Sequence, residues 1–283
     1  MSKITILVDG DVARDGLRSA HGFAAYVERA GCHILFDTGP AGGALLENAR
    51  KLDIALEKIE AVVLSHGHYD HVGGLAELFE AIGPRPVWLA PGTLQPRWSQ
   101  KPGRPAREIG VPEASRRVLE EIGELRRECA QPREISKGLW CSGEIPRKND
   151  FETPEARFFL DEAGTEPDRI LDDQALWLDS SEGLVILVGC AHAGLINTLE
   201  QARHQLPGRP LRAVLGGFHL LHADRRRLVR TSTELLHLAP ELIAPMHCSG
   251  DSCLEPFRET LVDSEFGPVG AGAEYLFHSS SGT

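Results

Sequence analysis

Four side chains able to hold a metal ion crowd into six positions of this chain: His66, His68, Asp70 and His71. Zinc and its relatives take imidazole nitrogen and carboxylate oxygen, and a catalytic metal keeps one coordination position open for water. On an extended segment, residues two apart point the same way, so His66 and His68 can converge on one ion. Gly67 between them lets the backbone bend tightly without a side-chain clash. Asp70 and His71, opening a helix, can face a second ion beside the first. A lone histidine is more often an ordinary core or surface residue, and His33, His204, His222, His237 and His278 are read that way.

The elements around the run place it. Residues 61–64 form a short continuous apolar stretch, the pattern of a strand buried on both faces. Gly73-Gly74 then leads into a helix over 75–82, closed by Gly83-Pro84, and a strand returns at 86–90. The histidine run thus lies on a strand-to-helix loop, where open α/β folds place their ligands. Three later segments repeat the transition. Strand 184–188 runs into Gly189-Cys190-Ala191-His192, strand 211–215 into Gly216-Gly217-Phe218-His219, and strand 242–246 into His247. Three histidines closing strands in succession predict convergence on one sheet edge, so His192, His219 and His247 join the candidate ligands. Helices are expected over 195–204 and 225–238.

Upstream, strands are expected at 4–8, 23–27 and 32–36, the last two a hairpin turning at 28–31, followed by Asp37 and a helix over 44–52. Between 91 and 173 the chain changes character. Prolines, glycines and charges are dense up to residue 110, a helix is expected over 113–127, and 138–145 reads as a strand and turn. This stretch is expected to be an insertion that covers or shapes the site, within a single domain spanning 1–283.

Composition narrows the function. Hydrophobic residues make up 42% of the 283, enough for a sizeable core, and the net charge is −11. Affinity for phosphate backbones comes from Lys and Arg, so a nucleic-acid partner is not expected and a small-molecule substrate is. No apolar stretch reaches the roughly 20 residues of a membrane span, and no targeting segment is evident. The six cysteines form no Cys-x-x-Cys pair, which predicts reduced thiols and a cytoplasmic protein. Cys190 and Cys248, flanking ligand-bearing strand ends, are expected to be buried rather than ligating. The Arg225-Arg226-Arg227 run reads as a solvated helix face, with a phosphate contact as the sharper option. Oligomeric state is left open.

Taken together, the His-x-His-x-Asp-His run, Asp37-Thr38-Gly39 before it and the distant His192 and His247 resemble the metallo-β-lactamase superfamily over nearly the whole chain. That resemblance implies an α/β, four-layer αβ/βα sandwich with metals between its two inner sheets. It implies His66, His68 and His192 on a first metal and Asp70, His71 and His247 on a second. Asp37 would orient the site without binding metal. The segments Ser65–Leu75, Gly143-Glu144-Ile145, Asp172-Asp173-Gln174-Ala175-Leu176, Gly189–Gly194, Gly216–Leu220 and Pro245–Gly250 are similar to a dihydropteroate-synthase-like subgroup. Its members are often named 7,8-dihydropterin-6-ylmethyl-4-(β-D-ribofuranosyl)aminobenzene 5′-phosphate synthases. His21 resembles a position near the site in that subgroup; Asp173 is a candidate substrate contact. One departure stands out. Many members carry a bridging aspartate where this chain has Gly216-Gly217-Phe218-His219, and a neutral imidazole has one free lone pair and cannot bridge. His219 is therefore expected to bind only the second metal, or to sit just outside it.

The expected function is metal-assisted hydrolysis of a small phosphate ester or related ester, using two zinc ions, with manganese or iron also suited to the donors. Asp70 and His247 are the candidate catalytic residues, Asp70 holding the attacking water. A transferase joining a pterin pyrophosphate to a ribofuranosylaminobenzene phosphate is the first alternative. It would need an aromatic pterin pocket, for which Trp88, Trp98, Trp140 and Phe151 with Asp172 or Asp173 are candidates. A non-catalytic metal-binding sensor is the second.

Overall fold

A computed structural model describes residues 1–278. Two seven-stranded sheets face each other. In the first, the strands run in the order Glu274–Phe277, Ser2–Val8, Ala24–Arg29, Cys32–Phe36, Ala61–Val63, Val87–Leu89 and Arg126–Glu128. In the second, the order is Glu265–Phe266, Leu242–Met246, Leu211–Gly217, Gly183–Val188, Ala175–Ser180, Leu139–Cys141 and Arg133–Ser136. Each sheet mixes an antiparallel part with a parallel part. Pairing is parallel from Cys32–Phe36 outward to Arg126–Glu128, and likewise from Gly183–Val188 to Glu265–Phe266.

Three apolar clusters account for the layering. The first lies between the sheets and joins Ile4, Ile6, Phe36 and Val63 of one to Leu176, Leu178, Leu187 and Leu215 of the other. The second covers the outer face of one sheet with helices Leu195–Gln205, Arg225–Leu238 and Leu254–Thr260. The third covers the outer face of the other with helices Ala44–Lys51, Leu75–Ile82 and Glu113–Glu121. Gly183–Val188 is buried at every residue because it contributes to two clusters at once, which is why it reads as an unbroken apolar run. The four-layer αβ/βα sandwich is thus the observed architecture. Among the described residues, no helix is long and apolar enough to cross a membrane, and all six cysteines are free of disulfides.

Local sequence explains the turns. The hairpin between Ala24–Arg29 and Cys32–Phe36 closes on Ala30 and Gly31, both at positive φ (48° and 86°), the two-residue turn whose twist suits antiparallel strands. The helix expected over 113–127 stops earlier, at Glu121. Gly123 turns the chain at φ 55°, and Arg126–Glu128 extends to pair with Val87–Leu89 at the sheet's edge.

The stretch 91–173 has two parts. Arg126–Glu128, Arg133–Ser136 and Leu139–Cys141 belong to the main sheets, together with the helix Glu113–Glu121. Only Trp98–Ser99, Arg107–Glu108 and Phe158–Phe159 form a separate three-stranded sheet, and that small sheet stands over the site. Leu187 sits fully buried between the main sheets. Leu187→Ala should lower unfolding free energy by about 2–5 kcal/mol, read from denaturant titration.

Candidate metal centre

Five strands from the parallel parts of the two sheets carry polar site residues at or just beyond their ends. Asp37 follows Cys32–Phe36, Ser65 and His66 follow Ala61–Val63, Cys190 and His192 follow Gly183–Val188, His219 follows Leu211–Gly217, and His247 follows Leu242–Met246. Asp37, Ala191, His219 and His247 all have φ between 44° and 59°. Non-glycine residues there are strained, and such strain gathers at functional sites. It also turns each chain sharply off its strand.

Asp37, fully buried, organises the first half of the centre. Its Oδ1 accepts from the Ser65 amide at 2.6 Å; its Oδ2 accepts from Ser65 Oγ and contacts His71 Nδ1, both at 2.7 Å. Ser65 Oγ also lies 2.9 Å from His66 Nδ1. With their Nδ1 atoms so engaged, His66 and His71 turn Nε2 inward. His66 Nε2 is 2.9 Å from His68 Nδ1, and His71 Nε2 is 3.2 Å from His247 Nε2.

A second buried device fixes the loop between His66 and His68. The Gly67 amide donates to Asp172 Oδ2 at 2.8 Å, and that carboxylate is gripped by Arg97, whose Nε also reaches Asp168 at 3.1 Å. A Cβ on Gly67 would lie 2.0 Å from the Thr93 carbonyl oxygen, so only glycine fits. Asp172 therefore serves the loop from below.

The ligating atoms fall into groups whose members lie within 4.8 Å of one another. One is His66, His68 and His192; another is Asp70, His71 and His247. Burial, reinforced by neighbouring positive charge, pushes His66, His68, His192 and His247 well below the ordinary histidine range, so they stay neutral with lone pairs free. His71 goes the other way: burial opposes its charge, but Asp37 and Asp70 raise it to about 9. His192 Nε2 is buried with no hydrogen-bond partner among the described residues. Buried polar atoms without partners are rare. Neutral imidazoles converging on shared points, with Nε2 of both His68 and His192 orphaned among the described residues, fit a divalent metal such as zinc.

Other expected residues divide. His21 is 71% exposed at the mouth, with Nε2 3.3 Å from Asp70 Oδ2 and its ring 5.2 Å from that of His247. Asp173 is buried away from the cavity, accepting from the Ala193 amide at 2.6 Å. His219 does not join the second donor group. Its ring lies 4.2 Å from that of His192, on the side of the first group, because Glu155 holds its Nε2 at 2.8 Å. Burial works against charge on both partners, yet the pairing takes Glu155 down to about 2, and Cys248 and Glu155 take His219 up to about 9. Trp88, Trp140 and Phe151 pack in the apolar clusters, Trp98 lies in the small sheet, and none of them lines the cavity. Nor does any of Arg225, Arg226 and Arg227.

The centre opens into a cavity of about 850 Å³. Its upper wall comes from the small sheet and adjoining loops: Lys101, Arg104, Arg107, Arg157 and Phe158, with Tyr69 and His222 completing it. Arg107 stacks over the Tyr69 ring at 4.7 Å, and Arg157 over Phe158 at 4.8 Å while also pairing with Glu155. Sequence reasoning missed this wall, since its residues carry no motif. Cys190 is buried, as its place beside a ligand-bearing strand end led us to expect.

Residues 20–247 match the metallo-beta-lactamase superfamily. The chain belongs to that superfamily. It is 29% identical over 254 residues to the 7,8-dihydropterin-6-methyl-4-(beta-D-ribofuranosyl)-aminobenzene-5′-phosphate synthase of Methanocaldococcus jannaschii, covering 85% of each protein. An uncharacterised protein of the same organism is 31% identical over 269 residues, covering 94% of this chain and 98% of that one. Among solved structures, Tm1679, described as a metal-dependent hydrolase of the β-lactamase superfamily, superposes with a TM-score of 0.82 at 28% identity. That match covers 98% of this chain and 99% of that one.

Two predictions test the supports. Arg97→Met leaves Asp168 and Asp172 buried without their partner, and should reduce stability by about 3–5 kcal/mol while weakening metal uptake in a metal-binding titration. Burial raises Asp173 to about 7 from an ordinary 3.8. Its folded pKa exceeds its unfolded one, so its contribution is complete below about pH 4 and is lost as pH rises toward 7. Asp173→Asn should remove that loss, so that in denaturant titrations of metal-stripped protein the variant gains on the wild type between pH 4 and 7.

Proposed function

We propose that the protein is a metal-dependent hydrolase of a small phosphate ester or similar anionic ester. The observation that carries this reading is a cavity floored by metal donors and walled by Lys101, Arg104, Arg107 and Arg157, which outnumber Glu108 and Glu155 on the same wall, in a chain whose net charge is −11. A cationic wall against the overall balance favours an anionic substrate. His66, His68 and His192 would hold one ion, and Asp70, His71 and His247 the other. When bound, such ions supply Lewis acidity and bring water to a pKa of about 7, near enough to neutrality to deliver hydroxide.

The chain's own groups do the rest. Arg104 and Arg107 hold the phosphoryl oxygens by charge-assisted hydrogen bonds. Tyr69 and Phe158 give the organic part of the substrate an aromatic surface. Asp70, at 3.6 Å from His247 Nε2 and 3.3 Å from His21 Nε2, accepts a proton from the attacking water and keeps it oriented. His21, at the mouth, is placed to return a proton to the leaving oxygen.

A transferase reading is favoured by one observation, the 29% identity to a protein named as a synthase. It too takes phosphorylated reactants, so the cationic wall serves both, but the aromatic surface would be Tyr69 and Phe158 rather than the tryptophans. Incubation with a phosphate monoester or diester, and separately with a pterin pyrophosphate plus an aminobenzene phosphate, separates them: we expect released alcohol in the first and no coupled product in the second. Chelation and His68→Ala should each abolish hydrolysis, and turnover by fully metal-stripped protein would contradict the proposal. Arg107→Ala should raise KM about tenfold, the loss of roughly one charge-assisted hydrogen bond, with kcat little changed in steady-state kinetics.

A further inference from the structure

We infer that the Cys190 thiolate is a metal ligand shared between the two donor groups, in the role for which this chain has no bridging carboxylate. The inference rests on the metal-dependent reading above and goes beyond it by naming what couples the two ions.

The geometry is specific to this side chain. Cys190 Sγ lies within 4.8 Å of ligating atoms of His66 and His71, and likewise of His192 and His219, and of His247 and Cys248. It is thus common to three groupings that together touch both ends of the centre, whereas the two imidazole-rich groups share no residue with each other. Its Sγ stands 3.2 Å from His71 Nε2, the same nitrogen that stands 3.2 Å from His247 Nε2. Beside it, His192 Nε2 is buried and lacks a partner among the described residues, on a residue only 7% exposed.

The backbone delivers the sulfur there. A Cβ on Gly189 would lie 2.2 Å from Ser65 Oγ and 2.9 Å from Asp37 Oδ2. Only glycine lets the end of Gly183–Val188 pass so close to the opposite sheet, and that approach sets Cys190 among the imidazoles. Ala191, at φ 44°, then turns the chain so that His192 faces the same point.

Its surroundings separate Cys190 from an ordinary buried cysteine. A free buried thiol packs as a small hydrophobe, as Cys129, Cys141 and Cys253 do within the apolar clusters. Cys190 is 4% exposed yet belongs to none of those clusters. Its near neighbours are ligating nitrogens and the Cys248 thiol. Thiolate sulfur has several lone pairs and a full negative charge, so it can bind two cations where a neutral imidazole binds one. Coordination displaces the thiol proton to solvent, and the charge gained restores what the absent aspartate would have supplied.

X-ray absorption at the zinc edge of the full-length protein loaded with zinc, with ion counting, tests this, alongside thiolate-to-metal charge-transfer absorption after cobalt(II) substitution. The expected wild-type result is two ions per chain, each with one sulfur neighbour. Cys248→Ser should keep both signals, and Cys190→Ser should lose them and fall from two bound ions to one. Because Cys190→Ser could fail to fold, the wild type and Cys248→Ser suffice alone: a sulfur signal kept in Cys248→Ser assigns it to Cys190. Two ions bound without sulfur, or a sulfur signal lost in Cys248→Ser, overturns the inference and leaves the metal-dependent reading standing. No bound ion overturns both.

Discussion

The centre depends on one buried carboxylate. Asp37 receives the Ser65 amide, the Ser65 hydroxyl and a close contact from His71 Nδ1, and Gly189 from the opposite sheet passes directly against it. The end of one strand, the start of the histidine loop and the exit of a strand in the other sheet therefore meet at a single charge. A buried carboxylate is costly unless its lone pairs are satisfied; here satisfying them fixes the directions in which His66 and His71 present their remaining nitrogens. Any ion bound there would meet that carboxylate through those rings.

Around that point the two sheets share the work. The first supplies the histidine loop, braced below by Arg97 and Asp172, while the second supplies Cys190, His192, His219 and His247 from three successive strand exits. The inter-sheet apolar cluster holds the two edges in register, so packing energy remote from the chemistry is what keeps donors from different sheets converged. The small sheet bearing Arg107 and Phe158 then adds charge and an aromatic surface to a floor of imidazoles and Asp70.

Much of this was legible in the sequence, for physical reasons that can be named. The run from His66 to His71 and the apolar stretches before His192, His219 and His247 are readable because strands buried on both faces leave an unbroken apolar signature. The edge strand Arg126–Glu128 left no such trace: its charged residues are exposed, and pairing with Val87–Leu89 alone makes it a strand. The side on which His219 falls depends on Glu155, far away in sequence, and the cationic wall comes from loops whose spacing carries no period. Asp173 looked like a cavity residue because it neighbours a motif. It instead serves the backbone of the loop bearing His192.

Strand exits from two sheets converge on one centre whose donors form separate groups, suited to two metal ions. Elemental analysis of the protein purified without added chelator addresses it most directly, read together with a crystal structure of the same preparation. Two ions per chain are expected, one among His66, His68 and His192 and the other among Asp70, His71 and His247. Protein that retains no ion, and takes none up when divalent metal is supplied, would contradict it.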